Sequence, residues 1–301
     1  MLLVKNFKLA PIALFTFKRP EHTRRTLESL AQNHEFESSP LFIYCDGARN
    51  AAESAQVEQT RKLVRDWPHP NKTIVERDRN LGLANSVIEG VTELCKHFGR
   101  VIVVEDDLIV SPVFLNYLNA ALDRYADEPK VMQVSAHMLP VSIQSQYDAV
   151  ILPFTTSWGW ATWDRAWKYF DPSMSRFEML KADTALRRRF NLDGAYPYFR
   201  MLKRQACGKV DSWAIRWYSS VFFQNGYVVF PKRSLVQHEG YDETATHATR
   251  RDQASVKEVW VEHILKFPEV VCDKGAFIAV SSFYRAERSF LKRLMVRIGF
   301  A

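Results

Sequence analysis

The chain has 301 residues, of which 47% are hydrophobic and 25% charged, a composition typical of a folded globular protein. Its length allows one large α/β domain, alone or with a smaller elaboration. The formal net charge of +7 favours phosphorylated ligands, nucleic acid or an anionic membrane surface without choosing among them. We interpret the cationic residues as scattered along the chain, which argues against a nucleic-acid-binding protein.

The chain has four cysteines: Cys45, Cys95, Cys207 and Cys272. They form no CxxC pair, so zinc spacing is absent, and we expect reduced thiols in a cytosolic protein. The first residues, MLLVKNFKLAPIALF, are interrupted by Lys5 and Lys8 and match a signal peptide poorly. No apolar stretch has the length of a transmembrane span. We therefore expect a cytoplasmic location.

The first half of the chain alternates between apolar runs and helical patterns. The runs that predict strands are residues 12–17, 41–46, 73–76, 101–106 and 131–136. Residues 82–98 place Val87, Val91 and Leu94 on one helical face, and residues 112–125 begin with a proline suited to a first helical turn. This alternation predicts an α/β fold with a mostly parallel sheet and helices on both faces.

Polar side chains follow four of the predicted strands. They are Thr16, Lys18 and Arg19; Asp46, Gly47 and Arg49; Arg77, Asp78, Arg79, Asn80 and Gly82; and Glu105, Asp106 and Asp107. In parallel sheets, ligands bind beyond the carboxyl ends of the strands. Both signs of charge are therefore expected at one edge, as a nucleoside diphosphate with a divalent cation requires. The alternative is a set of solvated loop residues.

The stretch VIVVEDDLIVSP, residues 101–112, ends an apolar strand with three adjacent carboxylates. Like charges this close repel, and their burial is costly unless a cation or hydrogen-bond donors compensate. Strand alternation would place Glu105 and Asp107 on one face and Asp106 on the other. Such oxygen ligands suit Mg²⁺ or Mn²⁺, which can neutralise a departing diphosphate. The alternative is a charge cluster that favours the helix starting near Pro112.

From about residue 147 the chain is more helical and richer in aromatic residues. Four tryptophans occur close together: Trp158, Trp160, Trp163 and Trp167. We expect Trp163 and Trp167 in the core, and Trp158 and Trp160 at a loop-to-helix entry where a ring can stack on a sugar. No repeat or linker separates residues 1–146 from residues 147–284, so we interpret them as two halves of one body.

Residues 285–301, RAERSFLKRLMVRIGFA, predict a basic amphipathic C-terminal helix. Its apolar residues fall on one side of a helical wheel and its cations on the other. This pattern fits an interfacial helix on anionic lipid. Docking of the apolar side on the domain is the alternative.

The order and spacing of these segments resemble glycosyltransferases with the GT-A fold, over roughly residues 11–249. The first half resembles family 2 enzymes in TFKRP, in Asp46 of YCDGA and in RDRNLGLANS, where N-x-G and a later Ala-Asn begin a helix. VVEDDLIVSP resembles the Glu-Asp-Asp form of the DxD motif in N-acetylglucosaminyltransferase I. The stretch DSWAIRWYSSVFFQNGYVVFPKRSLVQHEGYDETATHA resembles bacterial sugar transferases with an acidic residue before a Trp-containing helix and a terminal Thr-His.

The resemblance implies a metal-dependent, inverting transfer of a hexosyl or N-acetylhexosaminyl group. The donor would be a nucleotide-diphospho sugar, expected to be a UDP-sugar, and the acceptor a glycan or lipid-linked molecule in bacterial surface polysaccharide synthesis. The residues that we expect to bind the donor are Thr16, Lys18, Arg19, Asp46, Arg79, Asn80, Glu105, Asp106 and Trp158. Asp46 would accept a hydrogen bond from the base, and Arg79 would contact base or phosphate.

Asp107 is implied as the direct ligand of Mn²⁺ or Mg²⁺. His247, in the loop ETATHAT, is a second candidate ligand or a donor to the diphosphate, whereas His238 is expected to pack behind the site. Asp211 is the expected general base. The N-acetylglucosaminyltransferase pattern has two adjacent aspartates before its Trp, and Ser212 takes the second place here. If the register differs, the alternative bases are Asp164, Glu239 and Asp242.

Two other classes remain open. A sugar-phosphate nucleotidyltransferase also pairs a nucleotide-binding sheet with a cation, but normally has a Gly-rich loop after the first strand, and FTFKRPEHT contains no glycine. A non-catalytic carbohydrate- or nucleotide-binding module has no need of a cation site beside a nucleotide pocket.

Overall fold

The computed structural model of the chain describes residues 9–240, 256, 258–263 and 266–297. The strands of this part are β1 Ile12–Thr16, β2 Leu41–Cys45, β3 Lys72–Glu76, β4 Arg100–Glu105, β5 Leu108–Val110, β6 Val131–Ser135, β7 Ala149–Leu152, β8 Trp160–Trp163, β9 Tyr227–Pro231 and β10 Val236–His238. The helices are α1 Pro20–Ala31, α2 Ser54–Asp66, α3 Leu83–Phe98, α4 Phe114–Arg124, α5 Asp164–Trp167, α6 Phe177–Ala182, α7 Thr184–Phe190, α8 Tyr198–Ala206, α9 Trp213–Phe223 and α10 Lys274–Arg297. A short 3₁₀ helix, Ala51–Glu53, precedes α2.

Eight of these strands form one sheet in the order β3-β2-β1-β4-β8-β6-β9-β7. Strands β1 to β4 are parallel to one another, and β8 and β7 are antiparallel to their neighbours. Strand β1 is buried along its whole length, as expected of a central strand covered on both faces. The predicted class, an α/β fold with a mostly parallel sheet flanked by helices, is confirmed.

Alternate strand residues face two apolar layers. Ile12, Leu14 and Ile102 pack in a cluster with residues of α1 and α4, whereas Val101 and Val103 pack with residues of α3 and α9. A third cluster joins α7, α8, α9 and the beginning of α10 to β7 and β9. The second half of the chain therefore packs on the sheet that the first half begins.

The ends of α3 show how local sequence fixes an element. The helix begins after Gly82 and ends at Gly99, and both glycines have positive φ values, of 78° and 75°. Glycine adopts this conformation without a Cβ penalty, so it starts and stops the helix sharply. Helix α4 begins at Phe114, two residues after Pro112, so the prediction that this proline opens the first turn is wrong.

The positions of the tryptophans agree with the prediction in part. Trp163 and Trp167 are each 4% exposed, which confirms their core position. Trp160 is fully buried, and it opens strand β8 after Gly159, so the expected loop-to-helix entry is a loop-to-strand entry.

The helix that contains residue 285 begins at Lys274. Ala276, Val280 and Tyr284 pack it on the third cluster, so its first half docks on the domain. Within the described ranges, none of the helices is both long and apolar enough to cross a membrane.

Candidate functional site

The strand order reverses at the carboxyl ends of β1 and β4, a point that we call the crevice. The chain runs from β1 to β2 and β3 on one side, and β4 then pairs with the other side of β1. Such a point of reversal leaves a gap between the loops of neighbouring strands, and ligands of open α/β sheets bind there. The loop that follows β1 and the carboxylates that follow β4 both lie at this point.

The three carboxylates form the end of β4 and a turn. The strand ends at Glu105, and Asp106 and Asp107 turn the chain into β5. Asp106 Oδ2 accepts a hydrogen bond from the Phe17 N–H (3.1 Å), and Asp107 Oδ2 accepts one from Arg19 Nη1 (3.1 Å). The prediction that Asp106 faces away from Asp107 is therefore wrong. Because the strand stops at Glu105, both aspartates reach the loop after β1.

The turn concentrates negative charge in a half-buried place. Burial raises the pKa of Glu105 well above its usual range, and the charges of Asp107 and Asp106 raise it further. Burial and the charge of Asp107 raise the pKa of Asp106 to about 7, although the Phe17 N–H and Arg19 act in the opposite direction. The site therefore favours either protonation or a bound cation.

Two basic side chains contact Asp107. The Arg19 guanidinium is 9% exposed and forms the ion pair with Asp107 Oδ2, and His238 Nε2 lies 3.4 Å from the same oxygen. His238 ends β10, which pairs antiparallel with β5 and sets His238 opposite Leu108. From the sequence, we expected His238 to pack behind the site. No local signal could reveal its position, because the pairing joins segments far apart in the chain.

Trp158 lies beside this histidine. Its ring stacks on the His238 ring at 4.7 Å between centroids and 29° between planes, and it meets His137 edge-on at 4.5 Å. The structure thus brings Trp158 to the neighbourhood of the carboxylate turn, where the sequence analysis expected a donor contact.

The residues at the turn fit a divalent cation of the Mg²⁺ or Mn²⁺ type. Asp107 Oδ1 is buried and has no hydrogen-bond partner among the residues that the structure describes. In the described chain, no three His, Cys, Asp or Glu side chains group together as a metal site. Mg²⁺ is usually bound through one or two carboxylates, with waters and substrate phosphates completing its shell. Asp107 therefore fits as the direct protein ligand of a cation that arrives with a phosphorylated ligand.

The loops after β2 and β3 are joined by Asp46. Its Oδ1 accepts hydrogen bonds from the N–H groups of Gly47 (2.9 Å) and Leu81 (2.8 Å), and its Oδ2 accepts one from Gly82 (3.0 Å). An ionised carboxylate offers about four acceptor positions, so about one remains for a ligand. Asp46 thus shapes the turn that begins α3, and it borders the crevice.

Gly47 and Asn80 complete this junction. A Cβ atom on Gly47 would lie 2.5 Å from the Arg79 carbonyl carbon, so the two backbones touch. Asn80 Nδ2 donates to the Gly47 carbonyl at 2.8 Å, which holds the same contact. The Arg79 side chain is exposed beside this junction. Asp46, Arg79 and Asn80 are therefore brought together as predicted, with Asn80 directed to the backbone.

Thr16 and Lys18, the other residues at the end of β1 that are predicted to bind the donor, contact other parts of the chain. Thr16 is 4% exposed, and its hydroxyl is directed to β2, 3.4 Å from the Tyr44 carbonyl and 3.3 Å from Cys45 Sγ. It is part of the sheet interior, so the structure does not bring it to the crevice. Lys18 pairs with Glu53 at 2.7 Å, which draws its ammonium to the 3₁₀ helix before α2.

Asp211 lies in the loop before α9. Its side chain is 59% exposed, and Oδ1 accepts a hydrogen bond from Arg216 Nη2 at 2.7 Å. Trp213 of the same helix stacks on Trp160 at 5.0 Å, and Trp160 pairs with Val103 of β4. Since Glu105 follows Val103 by two residues, the beginning of α9 lies at the carboxyl end of β4.

The two alternative bases within the described residues, Asp164 and Glu239, lie at opposite ends of β4. Asp164 donates its N–H to the Gly99 carbonyl, at the amino end of β4, about 20 Å from Glu105 at about 3.3 Å per strand residue. Glu239 forms an ion pair with Arg25 (2.6 Å), and its N–H binds the Asp107 carbonyl. Asp242 and His247 lie outside the described residues. Glu239 is thus the alternative that lies near the carboxylate turn.

No protein-family model matches the chain, and no curated protein matches its sequence. Among solved structures, it is similar to the mannosyltransferase PcManGT from Pyrobaculum calidifontis in complex with GDP-Man and Mn²⁺, with 15% identity, a TM-score of 0.36 and coverage of 53% of this chain and 48% of that one. It is also similar to TarS 1–349 of S. aureus, with 11% identity, a TM-score of 0.46 and coverage of 77% and 61%. A third similar structure is GalNAc-T7 with UDP, GalNAc and Mn²⁺, with 9% identity, a TM-score of 0.47 and coverage of 76% and 43%.

The chain thus matches between 43% and 61% of the length of these three structures. At such low identity, and with TM-scores below 0.5, these similarities carry no argument about what the chain does. We therefore infer the function of the chain from the residues of the chain itself.

Proposed function

We propose that this chain is a metal-dependent, inverting glycosyltransferase of the GT-A kind, which transfers a sugar from a nucleotide-diphospho sugar to an acceptor hydroxyl. The observation that carries the proposal is the carboxylate turn, residues 105–107, at the crevice between β1 and β4. Arg19 contacts this turn, and the junction built by Asp46 follows the neighbouring strands. Carboxylates that can hold a cation, a guanidinium and the Asp46 junction on one sheet edge suit a nucleoside diphosphate.

The nucleotide base is proposed to lie against the Asp46 junction. Three backbone N–H groups donate hydrogen bonds to the Asp46 carboxylate. Its remaining acceptor position suits an N–H of the base. Uracil offers one such N–H, which supports a UDP-sugar as donor. Arg79 and Asn80 border the same junction and are proposed to contact base or phosphate. Lys18 is proposed to do so only after leaving Glu53.

Asp107 is proposed to hold Mn²⁺ or Mg²⁺, and Glu105 and Asp106 to contact the ribose and the donor sugar. When bound, the cation supplies positive charge beside the diphosphate leaving group. Arg19 forms an ion pair with Asp107. Its guanidinium can exchange this carboxylate for diphosphate oxygens, since both accept paired N–H donors. His247 stays the proposed second ligand.

The transfer step is proposed to use Asp211. The acceptor oxygen forms a bond to the anomeric carbon as the bond from that carbon to the diphosphate breaks, and Asp211 takes the acceptor proton. One such displacement inverts the anomeric centre. Arg216 holds the Asp211 carboxylate, whose exposed side remains open to an acceptor. Trp158 is proposed to lie against the donor sugar.

The finer assignment follows the family resemblance. The acceptor is proposed to be a glycan or lipid-linked molecule of bacterial surface polysaccharide synthesis. The transferred group is proposed to be a hexosyl or N-acetylhexosaminyl group, and the site to act in the cytoplasm.

The proposal is tested by thermal unfolding with a panel of nucleotide sugars, with and without Mn²⁺. A UDP-sugar at about 100 times its dissociation constant stabilises a one-site protein by about 2.7 kcal/mol, and this gain should require Mn²⁺. Asp107→Asn should remove it. Asp78→Asn, an exposed aspartate after β3, is the matched control and should keep it.

Three outcomes would contradict the proposal. Full Mn²⁺-dependent stabilisation of Asp107→Asn would remove the metal assignment. Turnover of a sugar 1-phosphate with UTP would indicate a nucleotidyltransferase. Stabilisation by free sugars but by no nucleotide would indicate a carbohydrate-binding module.

A further inference from the structure

Most of the net charge of the chain is concentrated in one short segment. Residues 184–210 contain seven cations, Arg187, Arg188, Arg189, Arg200, Lys203, Arg204 and Lys209. They contain one acidic residue, Asp193, so the segment has a net charge of +6, against +7 for the whole chain. The interpretation that cations are scattered is therefore wrong for this region, which comprises α7, α8 and their flanking loops.

Five of these cations are exposed and have no ion pair or side-chain hydrogen bond among the described residues: Arg188, Arg200, Lys203, Arg204 and Lys209. Several exposed cations elsewhere in the chain are paired, as Lys62 is with Asp66 and Arg65 is with Glu58 and Glu76. The α7–α8 surface, which we define by these five cations, therefore projects positive charge that the chain does not neutralise.

The surface also carries apolar side chains. Tyr198 and Leu202 are buried and anchor α8 in the third cluster, so the opposite side of the helix is held outward. Met201, on the flank of the buried side, is 38% exposed, and Met179 on the neighbouring helix α6 is 55% exposed. Exposed methionines among cations suit an environment that is anionic at its surface and apolar below.

The C-terminal helix leaves from this same region. Arg288 Nη1 donates to the carbonyls of Gly194 (2.9 Å) and Ala195 (3.3 Å), between α7 and α8, and the Tyr284 ring lies 4.6 Å from that of Tyr196. The helix continues to Arg297, and its sequence beyond Arg288 adds Lys292, Arg293 and Arg297. Two basic segments of the chain therefore start from one place.

We infer that the α7–α8 surface binds an anionic phospholipid membrane, with Met201 and Met179 entering the headgroup layer. The cations are exposed on separate helices and loops, which favours a broad charged surface over a site for a single phosphate. Single-stranded nucleic acid is bound through exposed aromatic rings interleaved with cations, whereas the exposed apolar side chains here are methionines.

Membrane binding would also bear on where the acceptor is presented, a point that rests on the proposed function. Lys209 is separated from Asp211 by a single residue, and the Ser212 N–H donates to Gln205 Oε1 of α8 at 2.6 Å. The proposed base therefore lies at the edge of the membrane-binding surface. This position suits an acceptor whose hydroxyl is presented at the bilayer by a lipid anchor.

The test is sedimentation with vesicles of phosphatidylglycerol and phosphatidylcholine, compared with phosphatidylcholine alone. Each cation near an anionic surface contributes about 1 kcal/mol, so Lys203→Glu with Arg204→Glu should weaken binding to the anionic vesicles at least about 30-fold. The matched control is Lys96→Glu with Lys130→Glu, which changes the net charge equally at exposed sites outside the α7–α8 surface. This control should bind almost as the wild type does.

The expected result includes little binding to phosphatidylcholine alone and weaker binding of Met201→Gln with its charges intact. Equal losses in the two double variants would overturn the inference, because net charge alone would then explain the binding. It would also be overturned if the Lys203 and Arg204 changes abolished binding to a soluble anionic polysaccharide and left vesicle binding unchanged. Neither readout depends on a donor, so failure here leaves the transferase proposal standing.

Discussion

Replacing Asp106 by asparagine should stabilise the metal-free protein most at alkaline pH and progressively less in acid. Burial and the charge of Asp107 raise the pKa of Asp106 from 3.8 to about 7. A carboxyl whose pKa is raised on folding contributes stability at low pH that is lost as the pH rises through the folded value. Above pH 7 the folded protein therefore holds an ionised Asp106 at a cost.

The size of the effect follows from the same values. A rise from 3.8 to about 7 corresponds to about 4 kcal/mol, at about 1.4 kcal/mol for each pH unit. Water reaches part of the turn, so we expect a gain of the order of 2 kcal/mol. Asparagine removes the charge and keeps an oxygen that can accept from the Phe17 N–H, so no buried donor is left without a partner.

The assay is equilibrium urea unfolding in EDTA at pH 5.5 and pH 8. Asp106→Asn should exceed the wild type in free energy of unfolding at both pH values, with the larger gain at pH 8, because the contribution of the raised pKa is lost between the unfolded value of 3.8 and the folded value of about 7. Asp78→Asn, at an exposed position, should show the same small change at both pH values. An equal gain at both pH values, or a loss at pH 8, would refute the reasoning.

Four further outcomes are expected. Arg19→Gln should tighten the binding of Mn²⁺ alone by about tenfold or more, because a charged hydrogen bond on Asp107 is worth about 1.5–3 kcal/mol, and should weaken the binding of UDP with Mn²⁺; calorimetry that shows both constants falling together would contradict the exchange. Asp211→Asn should lower kcat about 10²- to 10⁴-fold with UDP affinity unchanged, whereas a normal kcat with a collapse in Glu239→Gln would move the base. Gly47→Ala should cost about 1–3 kcal/mol in urea unfolding because of the contact with the Arg79 backbone, while the control Gly275→Ala should be neutral. Removing residues 289–301 leaves the docked beginning of α10 and should reduce binding to anionic vesicles with little change in turnover of a soluble acceptor; unchanged binding would favour a wholly docked helix.

The elements that could be predicted from the sequence are those whose signals are local. The apolar runs that begin near Ile12, Leu41 and Val101 are strands β1, β2 and β4, and the 82–98 pattern is helix α3. Period-2 and period-3.6 patterns reflect contacts within one segment, so no partner is needed to detect them. The position of the carboxylates at a strand end followed in the same way, because a change from apolar to charged residues marks where burial stops.

Which of these residues contact one another depends on the packing of distant segments. The pairing of β10 with β5 sets His238 against Asp107, and the insertion of β8 beside β4 brings the Asp211 loop to the carboxyl end of the sheet and leaves Asp164 at the other. The turn after Glu105 directs both aspartates to the loop of β1, and the Asp46 carboxylate is taken up by backbone N–H groups of a later loop. Each of these contacts joins segments distant in sequence, and its free energy depends on the register and direction of strands that local periodicity does not specify.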